Sequence, residues 1–320
     1  MKKMKKLNLL LGTLLATAAL SHAVDSYSAV VGYQKITLPS GGKAVAPTFI
    51  KPEVFQGTAT ISGSSVTVTS GVLSGLSLGP TAFSNRANYP KYYVEVTQAN
   101  SSYYGYNFDI TDANTSSGFT SGNIPVGLSG SVQIAIRPHV TLADLGAASL
   151  ADGDSIAMAN DPTGNQSVYY VFNGGWIGSD FNTSRDFSHV IIPPGFGLVY
   201  SGQSGVDLTL TLTGKVKNTP TAVPVYQNAY ANFVAAINPS STVNYSTQNI
   251  AAGIGDGAAF TKYTTDGSFA EQEVYYSANG GLLNSAFAAV SSANVSGGEA
   301  VNVGALDGDK VWMIPAAIAP

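Results

Sequence analysis

Apolar and polar residues alternate along much of this chain with a period of two, the pattern of a half-buried β-strand. Ser65-Val66-Thr67-Val68-Thr69 places its valines on one face and its threonines on the other, and Asp207-Leu208-Thr209-Leu210-Thr211-Leu212-Thr213 does the same with leucine. The same reading predicts strands at Tyr92 to Val96, Tyr103 to Ile110, Val132 to Ile136, Ser167 to Phe172 and His189 to Ile192. Clusters rich in Gly, Asn and Ser punctuate them at short intervals: Gly41-Gly42, Ser62-Gly63, Asn114 to Gly118 and Asn173-Gly174-Gly175. Such punctuation favours tight antiparallel connections. Helix is scarce. Thr141 to Leu145 suits one short turn, with Thr141 as N-cap and Asp144 in the first turn. Tyr226 to Ile237 fits either a helix or an edge strand. The expected fold is all-β, with mostly antiparallel, sandwich-like sheets.

Two segments echo each other. Val168-Tyr169-Tyr170 runs into Asn173-Gly174-Gly175-Trp176, and Val274-Tyr275-Tyr276 runs into Asn279-Gly280-Gly281-Leu282 at the same internal spacing. Asp152-Gly153-Asp154-Ser155-Ile156 and Asp307-Gly308-Asp309-Lys310-Val311 form a second pair, at a different separation. Either a module is duplicated, or similar hairpins recur because these turn dipeptides are common. A softer break near Lys215 to Pro224 divides a β-rich domain over residues 24–214 from residues 215–320, a second β-rich region or a continuation of the first.

Composition adds an address. Lys2, Lys3, Lys5 and Lys6, an apolar run from Leu7 to Leu20, and small residues at Ser21 and Ala23 predict an export signal over residues 1–23. Its apolar core is shorter than the roughly 20 residues that span a bilayer. The mature chain is expected to start near Val24 and to work outside the cytoplasm, at the envelope surface, in the extracellular space or in the periplasm. Losing the four lysines takes the formal charge from −4 to −8. No basic run survives, so neither nucleic acid nor an anionic membrane is an expected partner. The predicted strands are shorter than the roughly 10-residue segments of an outer-membrane barrel, and no other apolar run approaches a membrane span. Charged residues make up 11% of the chain, against about 25% in an ordinary soluble domain. Hydroxyls and amides replace them, and weak charge repulsion lets copies of such a surface pack closely. The chain has no cysteine, which excludes disulfides, thiolate metal sites and a cysteine nucleophile together.

Candidate chemistry is thin. Asp152-Gly153-Asp154 and Asp307-Gly308-Asp309 resemble calcium loops, but each lacks the third acid and the closing glutamate, so a β-turn accounts for them better. His139 and His189 remain after cleavage of the signal and lie 50 residues apart, so each reads as a lone structural histidine rather than a zinc ligand. Gly75-Leu76-Ser77-Leu78-Gly79 matches the nucleophile-elbow pattern, but Pro80 follows at once and no helical pattern begins there. The glutamates Glu53, Glu95, Glu271, Glu273 and Glu299 leave a pair of glycosidase carboxylates open, because such pairs carry no linear signature. Gly195-Phe196-Gly197 lacks the third glycine and the helix of a dinucleotide loop and reads as a bend into the sheet. No catalytic, cofactor or metal residue is assigned. The one positive hint is aromatic. Tyr103, Tyr104 and Tyr106 beside Asn107 and Asp109, or Trp176 after its turn, would suit sugars or protein partners if they face outward.

A set of short motifs resembles a family of secreted proteins, mostly of Verrucomicrobia-type bacteria and generally described as hypothetical. The motifs are Val30-Val31-Gly32-Tyr33, Pro52-Glu53-Val54-Phe55-Gln56-Gly57, Tyr92-Tyr93-Val94-Glu95-Val96, Gly153-Asp154-Ser155-Ile156, the Tyr170 to Trp176 segment, and Pro194-Gly195-Phe196-Gly197 leading to Leu210-Thr211-Leu212-Thr213-Gly214. They fall within residues 28–220, and Ser28-Ala29 stands where that family carries Asp-Pro. The resemblance implies a secreted β-rich protein and no catalytic residues. The expected function is therefore non-enzymatic: an exported structural or adhesive component. Its expected partners are copies of itself, other envelope components or glycans. The alternative is a carbohydrate-binding module or polysaccharide-active enzyme.

Overall fold

Burial follows the alternation. In Ser65–Val68 Val66 is fully buried while Thr67 is exposed, and in Leu208–Lys215 Leu210 and Leu212 face inward while Thr209, Thr211 and Thr213 face water. The computed structural model describes residues 31–83 and 86–318, so the expected signal peptide lies outside the described residues. The protein is all-β and sandwich-like, 44% strand and 5% helix. Its strand ladders are antiparallel.

Some elements are shorter than their sequence pattern. Within Tyr103 to Ile110 only Asn107–Asp109 is strand. The preceding residues turn instead: Ser101 Oγ accepts from the Tyr103 amide, and Gly105 adopts a φ of 87° against the backbone of Pro220. His189 to Ile192 contributes only Ile191–Ile192. Thr141 caps a 3-10 turn over Leu142–Leu145, where the Asp144 carboxylate accepts from the Thr141 amide at 2.7 Å. Tyr226 to Ile237 yields the strand Asn232–Val234.

The pairing order shows a duplication. In the first half, Val31–Leu38 pairs with Leu208–Lys215, and Val140–Thr141 with Ile191–Ile192. A five-stranded sheet runs Gly175–Gly178, Ser167–Phe172, Ser155–Met158, Leu198–Ser201, Gly42–Val45. In the second half, Thr221–Val225 pairs with Lys310–Ile314, and Thr242–Asn244 with Asn294–Ser296. Its larger sheet runs Gly281–Leu283, Glu271–Ala278, Ala259–Tyr263, Val301–Gly304, Asn232–Val234, with Ala289–Val290 added at one edge. The two connectivities are the same, and each is that of a jelly roll. The Asn173-Gly174 and Asn279-Gly280 hairpins correspond, with all four residues at φ between 50° and 73° as a two-residue primed turn requires. The second echo pairs differently. The Gly153 amide donates to Val171 O and the Gly257 amide to Ser277 O, so Asp256-Gly257 is the counterpart of Asp152-Gly153, whereas Asp307-Gly308-Asp309 leads into the last strand.

The first half is interrupted. Between Val45 and Val140 the chain makes a separate six-stranded sheet, in the order Asn107–Asp109, Tyr92–Val96, Gly130–Pro138, Phe55–Ser62, Ser65–Val68, Gly118–Thr120. A core of its own lies between Phe55 and Ile136.

The two jelly rolls bond reciprocally. The Gly197 amide donates to Phe233 O, and the Ala300 amide to Ala44 O. The Ala235 amide donates to Gly195 O, and the Ala46 amide to Gly298 O. Gly195 and Gly298 occupy matching sites with φ of 82° and 81°. Exchange of this kind, where i meets j and j meets i, is the signature of a two-fold relation between copies. The Ala44, Ala46, Phe233, Ala235 and Ala300 side chains pack together there, with Ala159 beside them. Thus Gly195-Phe196-Gly197 is more than a bend: it is the seam, with Phe196 buried in the core of the second half.

Candidate functional site

The insert, the first jelly roll and the second meet where the chain passes between them, at Lys51 to Glu53, Arg137 to His139 and Lys215 to Thr219. Charged side chains converge on these crossings. Glu95, wholly buried in the insert, accepts from Arg137 Nε at 2.8 Å and also from Lys217 Nζ and the Thr219 hydroxyl. Arg137 Nη1 reaches Glu53 at 2.6 Å and the Lys51 carbonyl at 3.2 Å, and Lys215 Nζ reaches Glu53 at 2.6 Å. Burial works to raise the Glu95 pKa, but Lys217 and Arg137 outweigh it and hold the group ionised. At Glu53 burial is likewise outweighed, by the Lys215 hydrogen bond and by Arg137, and the pKa falls from 4.5 to about 2.

A carboxylate whose pKa is lower folded than unfolded stabilises the fold above its unfolded value and loses that contribution as pH falls toward its folded value. The protein should therefore lose stability between about pH 5 and pH 2. Circular-dichroism melting across that range is the check. Glu53→Gln should flatten the dependence, and an unchanged slope would remove Glu53 as its source.

Beside this network two recesses adjoin, of about 230 and 330 Å³, sharing Asp109, Ile191, Pro193 and Phe196. The smaller is walled by Tyr93, Asn107, Asn123 and His139 from the insert and its exit, and by Ala222, Pro224 and Tyr226 from the second half. His139 is 5% exposed and lies against the Tyr93 ring, centroids 5.0 Å apart. Its Nε2 stands 3.1 Å from Asp109 Oδ1 without the alignment of a hydrogen bond, and among the described residues its Nδ1 has no partner. Asn107 Oδ1 is buried in the same wall, also without a partner. Buried polar atoms are normally hydrogen-bonded, and these two are covered within the wall rather than open to the recess. The lining of the smaller recess holds no serine, threonine or cysteine beside the His139–Asp109 pair, and so no nucleophile of the triad type.

The other sequence candidates are structural. His189 stacks on Phe83 at 4.0 Å. It shares with His139 a third recess of about 340 Å³. Among the described residues no three His, Asp or Glu side chains are placed to hold a metal. Asp154 is fully buried and accepts from the Ala151 and Gln203 amides and from the Tyr200 hydroxyl, at 2.8–3.0 Å. Asp152 accepts from the Asn173 amide, Asp307 pairs with Lys310, and Asp309 accepts from the Gln227 amide. Chelation should leave the melting temperature unchanged, whereas Asp154→Ala should cost about 2–3 kcal/mol by stranding its buried donors. Thermal unfolding with and without EDTA measures both. Ser77 is exposed in a loop anchored by buried Leu73 and Leu78, with no helix behind it.

The aromatic hints divide. Trp176 is core, 2% exposed, and cannot present a face. Tyr103 is committed locally, its hydroxyl donating to Val126 O and its ring meeting Tyr106 edge-on. The exposed aromatics lie elsewhere, at Tyr33, Phe172 and Tyr230 and at a pair with no motif of their own, Phe181 and Phe287. Their signal was present, because each follows its Asn-Gly turn at one and the same distance.

No protein-family model, curated protein or solved structure matches the chain. No helix among the described residues is long and apolar enough to cross a membrane.

Proposed function

We propose that this protein is an exported, non-enzymatic structural or adhesive component of the cell surface or extracellular space, related to the secreted β-rich family its motifs resemble. The observation that carries the reading is the use made of the interior carboxylates. Glu53 and Glu95 tie the insert to the first jelly roll and to the segment leading into the second, and both are held ionised, whereas a glycosidase acid needs its pKa raised. The smaller junction recess, with Tyr93, Asp109 and Asn123 in its wall, is in keeping with recognition.

Cell fractionation combined with sedimentation of the purified chain tests this. The protein should be found with the envelope or in the medium and should self-associate or adhere to envelope material. A non-associating monomer free in the periplasm would overturn the reading.

A further inference from the structure

Phe181 and Phe287 occupy the same place in the two jelly rolls, 61% and 69% exposed. Both have positive φ, 51° and 57°, a conformation that bulky L-residues rarely adopt. Each closes a matching turn: the Phe181 amide donates to Gly178 O and the Phe287 amide to Asn284 O. Each ring lies against the outer tyrosine of its hairpin. Phe181 and Tyr170 have centroids 4.9 Å apart at 36°, and Phe287 and Tyr276 have centroids 5.2 Å apart at 21°. Among the described residues neither tyrosine hydroxyl has a hydrogen-bond partner. Core packing explains neither ring, because both stand in water. Strained backbone held without a packing reason is a mark of functional positions, and here it occurs twice.

The surroundings define the ligand. The segment Asn284 to Ala288 carries no charge, and on the other platform Asp180 pairs with Arg185 at 2.7 Å while Asp186 accepts from Ser188. A phenylalanine stacked on a tyrosine, with its outer face in water, a free tyrosine hydroxyl nearby and little free charge around it, suits the C–H face and hydroxyls of a sugar ring. Two equal platforms on one chain suit a ligand that itself repeats.

We propose that Tyr170 with Phe181, and Tyr276 with Phe287, form two equivalent platforms that stack on the rings of a neutral polysaccharide. This deepens the adhesive reading and rests on it for its biological use, although its test does not depend on cellular location.

Affinity electrophoresis of the purified mature protein through gels containing hydroxyethylcellulose, xyloglucan or galactomannan is the experiment. Asn tolerates positive φ, so Phe181→Asn and Phe287→Asn should keep their melting temperatures and read binding alone. The wild type should be retarded by at least one polymer, each single variant weakened by about 10-fold, and the double variant by about 100-fold or more, as loss of bivalency requires. With a short oligosaccharide of the retarding polymer, each single variant should bind at half the stoichiometry and unchanged affinity. Free migration of the wild type in all three gels, or a double variant retarded like wild type, would overturn the proposal. So would sedimentation showing that the platforms instead mediate pairing of two copies, a result that would leave the adhesive reading standing.

Discussion

Glu95→Ala is expected to cost about 3–5 kcal/mol of stability, because it leaves the buried Arg137 and Lys217 cations without their shared counter-charge. Urea denaturation of the purified protein should show the midpoint shift. The loss comes less from missing attraction than from charge stranded away from water. Removing charge in pairs should therefore be milder. Glu95→Leu combined with Lys217→Met leaves Arg137 its contact with Glu53 and should recover most of the loss. A single variant as stable as the wild type would mean that the network is hydrated and that the modules do not rely on it.

The second large effect is expected at the seam. A Cβ on Gly195 would collide with Val223, in the first strand of the second half, and one on Gly298 would collide with Ile36, in the first strand of the first half. Positive φ adds its own strain at both. Gly195→Ala and Gly298→Ala should each cost about 2–4 kcal/mol in thermal unfolding. Gly63→Ala is the control, since Gly63 has a φ of 59° but open space around it, and should cost about 1 kcal/mol. Equality of all three would mean that the halves do not press on each other at these glycines.

Strand positions were legible because alternation records burial directly, as at Val66 and at Leu210 and Leu212. The jelly-roll order was not, since pairing Val31–Leu38 with Leu208–Lys215 leaves no local trace. The duplication was half visible. The Asn-Gly turns kept both residues, because only a few types accept positive φ in succession. The Asp-Gly match misled, because Asp307-Gly308-Asp309 copies the chemistry of a turn without its place in the fold. The junction network was hidden for another reason: Glu95 comes from a strand inside the insert, and Arg137 and Lys217 from two separate crossings. A clue existed in Tyr92–Val96, where Glu95 sits between Val94 and Val96 in a strand buried on both faces. The aromatic platforms escaped because a lone phenylalanine in a polar loop looks ordinary until its twin is found.

The interruption of the first jelly roll sets an order of assembly. Thr221 pairs with Ile314 across one uninterrupted half, whereas Val31 must wait for Lys215 while the whole insert intervenes. Closing the longer loop is entropically harder, and pairings distant in sequence form slowly. The insert and the second half can each collapse from continuous chain, so the strand Val31–Leu38 is among the last to find its partner. Until it does, Tyr33 and its neighbours remain an unpaired edge, and a newly made chain would be most vulnerable to proteolysis and mispairing there.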